Sequence, residues 1–174
     1  MIDLNIRPME LEDAEMIVKW RNDPTIIHQM FSQAGPTLQE HLLWFKKYLE
    51  NDSRQEFVII IKNKDLKIAI GTIGLSSIDT QNAKAEYGIL IGERDYWGQG
   101  LAFQASKLLL DHAFTTLELN KVYLKVMVSN DRAVKLYKGI GFKNEGQLRD
   151  EFLKSGQYVD IYYMGILKEE WIER

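Results

Sequence analysis

Apolar and polar positions alternate over Leu4-Asn5-Ile6-Arg7, the two-residue period of a strand. The period then lengthens. Between Met9 and Arg21, Leu11, Ala14, Ile17 and Val18 recur at helical spacing, and Pro24 is expected to end that helix. Pro36-Thr37-Leu38-Gln39-Glu40 reads as a capping box, with Thr37 at the N-cap and Glu40 at the third helical position. The helix it opens carries Leu38, Leu42, Phe45 and Leu49 on one face and His41, Trp44 and Tyr48 on a stripe beside it. Three strands are predicted next, over 56–62, 68–78 and 84–93, joined by turns at Asn63-Lys64-Asp65 and near Gln81-Asn82. Connections of hairpin length make these strands antiparallel. A glycine loop, Trp97-Gly98-Gln99-Gly100, leads into a helix running to about Thr115, with Leu101, Ala105, Leu108, Leu109 and His112 on one side. The strand predicted over 122–128 is reached by this helical crossover, which implies parallel pairing nearby. A short helix over 132–138, stopped at Gly139 or Gly141, and strands over 143–152 and 158–167 complete the order βαα-βββ-α-β-α-ββ.

At 174 residues, with no linker, repeat or low-complexity run, the chain reads as one α/β domain over 1–174 with a core of its own. Lys plus Arg is 22 and Asp plus Glu is 25, for a net charge of −3 without a basic stripe, so neither nucleic acid nor an anionic membrane is an expected partner. The chain has no cysteine, which rules out disulfides, thiolate metal sites and a Cys nucleophile, and no metal is expected. The first residues lack the apolar run of a signal peptide, and no window approaches the ~18 apolar residues of a membrane span. The cytoplasm is the expected location.

The glycine loop draws attention because it sits between a strand and a strong amphipathic helix. Without side chains at Gly98 and Gly100 a ligand can approach the backbone, and the helix N-terminus offers free N–H groups and partial positive charge to a phosphate. A tight strand-to-helix turn would look the same. Two phosphate motifs fit poorly. A Walker loop needs Lys and Ser/Thr after its last glycine, where Leu101-Ala102 stand. A dinucleotide fingerprint needs Gly or Ala where Phe103 stands, and opens a βαβ unit rather than following three hairpin strands.

A second constellation decides between these readings. After the next strand comes Ser129-Asn130-Asp131-Arg132-Ala133-Val134-Lys135-Leu136-Tyr137, then Gly141-Phe142. The pattern N-x-x-A-x-x-L-Y-x-x-x-G-F, preceded by a WGxG helix, resembles the GNAT acetyltransferase superfamily, and the likeness covers essentially the whole chain. It implies a mixed, mostly antiparallel seven-stranded sheet flanked by about four helices, with central strands splayed apart. It further implies acetyl-CoA as co-substrate. The diphosphate would be held by the amides at Gly98, Gln99, Gly100, Leu101 and Ala102 beside Trp97, and the pantetheine arm would run along Ile89, Leu90 and Ile91 and meet Asn130 and Ala133. Tyr137 would face the sulfur. Where the family often has Arg or Gln three residues before the first glycine, this chain has Asp95.

An amine that attacks a thioester gives an oxyanion and then expels a thiolate. A tyrosine hydroxyl, with an ordinary pKa of about 10, still holds the proton that the sulfur needs, and this is the role the resemblance gives Tyr137. A main-chain N–H near Gly92 would polarise the carbonyl, a donor typically worth about 10²–10³ in rate. The amine itself, at a pKa of about 10.4, is unprotonated in only about one molecule in a few thousand at pH 7. Glu86 and His41 are the two candidate bases, though each also reads as an ordinary strand or packed residue. For the acceptor, Lys19-Trp20-Arg21-Asn22-Asp23-Pro24, Met30, Glu40-His41 and Phe45 resemble the amino-sugar acetyltransferases of pseudaminic acid synthesis. The stretch from Gly141 to Gly146 and the residues Tyr158-Val159-Asp160 and Glu170-Trp171 resemble spermidine and ribosomal-protein-alanine acetyltransferases. The first likeness, the one favoured for the acceptor, implies an amino sugar nucleotide, with Arg21, Met30, Trp44 and Tyr48 at the substrate. The second implies a polyamine or a protein N-terminus, although Phe31-Ser32-Gln33-Ala34-Gly35 lacks the carboxylates a polycation calls for. A sensor that binds acetyl-CoA without catalysis is the reading of another class, and the chain is compatible with a homodimer.

Overall fold

The computed structural model describes residues 3–63 and 66–173. Strand β1 (Asp3–Pro8) leads through a 3-10 turn (Leu11–Asp13) into helices α1 (Ala14–Arg21), α2 (Pro24–Ile27) and α3 (Leu38–Leu49). Strands β2 (Gln55–Asn63), β3 (Leu66–Asp79) and β4 (Lys84–Ile91) follow, then α4 (Leu101–Asp111), β5 (Lys121–Met127), α5 (Asp131–Ile140), β6 (Lys143–Lys154), β7 (Gln157–Leu167) and α6 (Lys168–Ile172). The seven strands form one sheet in the order β1-β2-β3-β4-β5-β7-β6. Every neighbouring pair is antiparallel except β4 and β5, which the α4 crossover makes parallel. Two residues of the predicted 63–65 turn, Lys64 and Asp65, lie outside the described residues.

Side chains on the two faces of the sheet go to two cores. On one face Ile17, Trp20, Ile26 and Phe45 from α1, α2 and α3 close over Val58. On the other, Leu101, Ala105, Leu109 and Leu110 of α4 and Val134, Tyr137 and Ile140 of α5 pack on Ile59, Ile61, Ile73 and Leu75. Val58 and Ile59 face opposite ways because a strand alternates, which is why β2 is a run of apolar residues rather than an alternating one. Each fully buried Leu or Ile contributes about 1.5–3 kcal/mol. No helix among the described residues is long and apolar enough to cross a membrane.

Several predicted boundaries move for local reasons. Pro24 opens α2 instead of merely ending α1, since Asp23 caps it by accepting from the Thr25 amide at 2.8 Å and a proline at the first helical position has no N–H to waste. The first predicted helix begins at Ala14, not Met9, because Asp13 turns back to bind Arg7 at 2.6 and 2.8 Å. The capping box at Thr37 and Glu40 is present, with the Thr37 amide donating to the Glu40 carboxylate at 2.7 Å. Helix α5 runs through Gly139 and stops at Gly141, whose φ of +120° breaks the helix. Among the described residues six α-helices appear where about four were expected, the additions being the short α2 and α6.

Strands β4 and β5 pair only at Lys84, Ala85 and Glu86 against Lys121, Val122 and Tyr123. Beyond Glu86, β4 continues to Ile91 paired with β3 alone. The sheet therefore opens along a seam in its middle, which the resemblance implied.

Candidate functional site

The glycine loop closes the open end of β4. A 3-10 turn at Arg94–Tyr96 follows the strand, and the Gln99 side chain donates to the Asp95 carbonyl at 2.7 Å. Gly98 and Gly100 have φ of +76° and +75°, and a Cβ at either would meet no protein atom within 4 Å. Glycine is required here by the left-handed backbone, not by crowding within the chain. Gly100 is the N-cap of α4 and brings no capping side chain. The first helical bond of that end runs from the Gln104 amide to the Gly100 carbonyl, so the amides just before it have no acceptor behind them. A helix end in this state favours an anion.

Trp97 ties the loop to its surroundings. Its indole N–H donates to the Ile91 carbonyl at 2.9 Å, and the Arg132 guanidinium lies 4.6 Å from its ring. The loop borders a cleft of about 280 Å³ lined by Ile89, Leu90, Ile91, Trp97, Gly98, Gly100, Leu101, Ala102, Asn130, Ala133 and Tyr137. All the sequence-predicted cofactor residues are brought together there except Gln99, which is turned onto the Asp95 carbonyl. Arg132, Phe103, Tyr96 and Leu136 also line it and were not singled out from the sequence. Arg132 lay within the motif that was read, and it places a cation beside the loop in a chain whose residue three before the first glycine is Asp95.

The exposed edge of β4 has a definite polarity. The Gly92 amide donates to Ile70 on β3 at 2.8 Å. By the two-residue period, Leu90 and Gly88 also turn their main chain toward β3, so Ile89 and Ile91 turn theirs into the seam. The indole bond to the Ile91 carbonyl fits that direction. Asn130 stands across the seam as the N-cap of α5, its side-chain oxygen accepting from the Ala133 amide at 3.2 Å.

Tyr137 projects from α5 to the bottom of the seam and is 9% exposed. It meets Tyr87 edge-on at 5.8 Å between ring centroids and Phe142 at 6.0 Å. The Ser106 hydroxyl donates to the Ala102 carbonyl at 2.7 Å, so the Tyr87 hydroxyl, 2.6 Å away, donates to Ser106. That bond fixes Tyr87, and Tyr87 with Phe142 fixes the ring of Tyr137. Burial pushes the Tyr137 phenol up to about 12, so it stays protonated near neutrality.

A second cleft, about 400 Å³, opens on the other side of Tyr137. Gln29, Met30, Ile89, Leu90, Asn130 and Tyr137 line both clefts, which meet across the seam. Arg21, Arg54, Glu56, Glu86 and Lys125 bring charge to the second one. Arg54 pairs with Glu56 at 2.8 Å. Burial pushes the Glu56 carboxyl up, while Arg54 and then Arg21 pull it down. Glu86 is half-buried on β4, at the last residue paired with β5 and three residues before Ile89.

Three predicted residues lie elsewhere. His41, Trp44 and Tyr48 form a stack along α3, with centroids 5.2 and 5.5 Å apart, and none of them lines either cleft. The Tyr48 hydroxyl accepts from the Glu56 amide at 3.1 Å, and Arg54 lies 5.8 Å from the Trp44 ring. His41 is buried, its ring pushed toward the neutral form by burial and then by Arg21. Their helical spacing marked one stripe but could not say which way it faces. Arg54 and Glu56, by contrast, were unremarkable as sequence, because only the packing of α1 against the sheet brings them to the same cleft as Arg21. Among the described residues no group of three His, Cys, Asp or Glu side chains could hold a metal ion.

The model of the acetyltransferase (GNAT) domain matches residues 3–143. The chain is 36% identical to an uncharacterized N-acetyltransferase, p20, of Bacillus licheniformis, covering 97% of this chain and 94% of that one. It is 32% identical to a spermidine N(1)-acetyltransferase of Vibrio cholerae, over 98% of this chain and 96% of the relative. The crystal structure of spermidine N-acetyltransferase from Vibrio cholerae in complex with CoA and spermine superposes with a TM-score of 0.92 at 31% identity, covering 98% of each chain. The spermidine relatives agree with the C-terminal resemblance. The N-terminal likeness to amino-sugar enzymes has no counterpart in these three.

Proposed function

The chain belongs to the GNAT acetyltransferase family, and on that basis we propose that it transfers an acetyl group from acetyl-CoA to a primary amine of a small molecule. The observation that carries this reading is the meeting of two clefts at Tyr137, one walled by the glycine loop and the open strand edge, the other by charged side chains. The first fits the co-substrate. Free amides at the head of α4, with Arg132 nearby, suit a diphosphate, and the main chain of Ile89 with the Ile91 amide suits an extended amide-bearing arm. When bound, acetyl-CoA supplies an activated acyl group as a thioester. In this reading Asn130 borders the arm, and Tyr137 holds a proton for the departing sulfur.

Glu86 is the carboxylate of the acceptor cleft that is not engaged by Arg54, and we assign it the proton of the incoming ammonium. His41, outside both clefts, has no such access. Glu86→Gln should lower kcat/KM at pH 7 by about 10²-fold, with the deficit shrinking as pH approaches the amine's own pKa, where no base is needed. A deficit constant across pH would instead leave the proton to water. Spermidine, the acceptor named for the relatives, is the first amine to try, whereas the relatives lend no support to an amino sugar nucleotide.

The decisive experiment is release of free CoA thiol from acetyl-CoA in the presence of a panel of amines, with Tyr137→Phe as the variant. The variant should lose about 10²-fold or more in kcat while binding acetyl-CoA within a few-fold of the parent. An unchanged kcat would remove the acid role, and no thiol release with any amine would remove the function.

A further inference from the structure

The acceptor cleft is lined by three cations, Arg21, Arg54 and Lys125, against two carboxylates, Glu56 and Glu86. Arg54 and Glu56 satisfy each other at 2.8 Å. That leaves Arg21 as a guanidinium at the end of α1 with no ion pair among the described residues, and its Nε is buried without a hydrogen-bond partner. Burial pushes Arg21 down from the ordinary arginine value; Glu56 opposes that and Arg54 adds to it. A guanidinium keeps its charge, so its position costs free energy until an acceptor of negative charge arrives. The planar fork of N–H groups matches an oxyanion better than any other partner. Spermidine has only ammonium groups to offer to such a wall.

Resting on the N-acetyltransferase reading above, we propose that the acceptor is a primary amine that also carries an oxyanion, a carboxylate or a phosphate, and that Arg21 holds this group within the second cleft. The amine end then lies toward Glu86 and Tyr137, and the anionic end toward Arg21 and the Arg54–Glu56 pair. The cleft selects against polycations because, once one ammonium has met Glu86, each further ammonium meets Arg21, Lys125 or the already neutralised Arg54–Glu56 pair.

The test uses acetyl-CoA and four amines of similar reach: 4-aminobutan-1-ol, 4-aminobutanoate, 3-aminopropyl phosphate and spermidine. The expected result is kcat/KM at least about tenfold higher for an anionic amine than for the neutral alcohol, with spermidine no better than the alcohol. The carboxylate and phosphate arms show which oxyanion the site takes. Arg21→Met should erase that preference, and acetyl-CoA affinity within a few-fold of the parent, at a cleft Arg21 does not line, shows that the variant is folded. Arg21→Lys should keep part of the preference. Spermidine turned over at or above the rate of both anionic amines overturns the proposal while leaving the acetyltransferase reading intact. A preference that survives in Arg21→Met overturns the role of Arg21. Absence of thiol release with every amine would instead strike the parent reading.

Discussion

Tyr137 is held by rings rather than by hydrogen bonds. Tyr87 and Phe142 flank it, and the bond from Tyr87 to Ser106 anchors the group to α4. The same burial that shapes the site leaves a trace in stability. In the unfolded chain tyrosine ionises near pH 10, but in the fold Tyr137 does so only at about 12. The unfolded state therefore loses this proton first as pH rises. The contribution is complete below pH 10 and is lost between about pH 10 and 12, to an extent of about 3 kcal/mol. Urea unfolding at pH 9 and pH 11 should show a smaller alkaline loss for Tyr137→Phe than for the parent, and equal losses would place the phenol in solvent.

At the scale of elements, the two glycine types of this chain behave oppositely. Gly100, with φ of +75°, caps α4 in a conformation that costs a side chain about 1–2 kcal/mol. Gly139 lies inside α5, and a Cβ there would meet nothing within 4 Å. Gly100→Ala should lower stability by about 1–2 kcal/mol and weaken acetyl-CoA binding in calorimetry, whereas Gly139→Ala should raise stability by about 0.5–1 kcal/mol with binding unchanged. Periodicity made the long elements legible: the α4 stripe, the α3 capping box and the β2 to β4 run all lie close to where the sequence puts them. Short elements escaped for a physical reason. A four-residue helix such as α2 has no period to detect, and only the Asp23-Pro24 pair signals its start.

At the scale of the molecule, the second cleft depends on contact between distant parts of the chain. Lys154, at the tip of the β6–β7 hairpin, donates to the carbonyls of Ile27, Met30 and Ser32 at 2.8, 2.8 and 2.7 Å. Phe31 packs edge-on against Phe152 at 5.3 Å between centroids. The segment that carries Gln29, Met30, Phe31 and Ser32 to the clefts is thus held from the opposite end of the sequence. Lys154→Met should raise the acceptor KM about tenfold and move the acetyl-CoA dissociation constant much less, since Gln29 and Met30 border that cleft but the glycine loop is untouched. No pattern within 28–33 or 143–154 announces this pairing. The co-substrate side of the site was readable because one strand, one loop and one helix turn supply most of it. The acceptor side was not, because Arg21, Arg54, Glu86 and Lys125 come from four separate parts of the chain: α1, the turn before β2, β4 and β5.

The three-residue junction between β4 and β5 gives the molecule an unfinished middle. Strands β1 to β4 form one ribbon and β5 to β7 another, and past Glu86 they are no longer bonded to each other. Apart from the Ile91 carbonyl, which the Trp97 indole occupies, the main-chain donors and acceptors of Ile89 and Ile91 are left as a template that an extended guest of the right length can complete. Such a guest would act as the keystone between two half-sheets, so that loading the site and finishing the architecture become a single event.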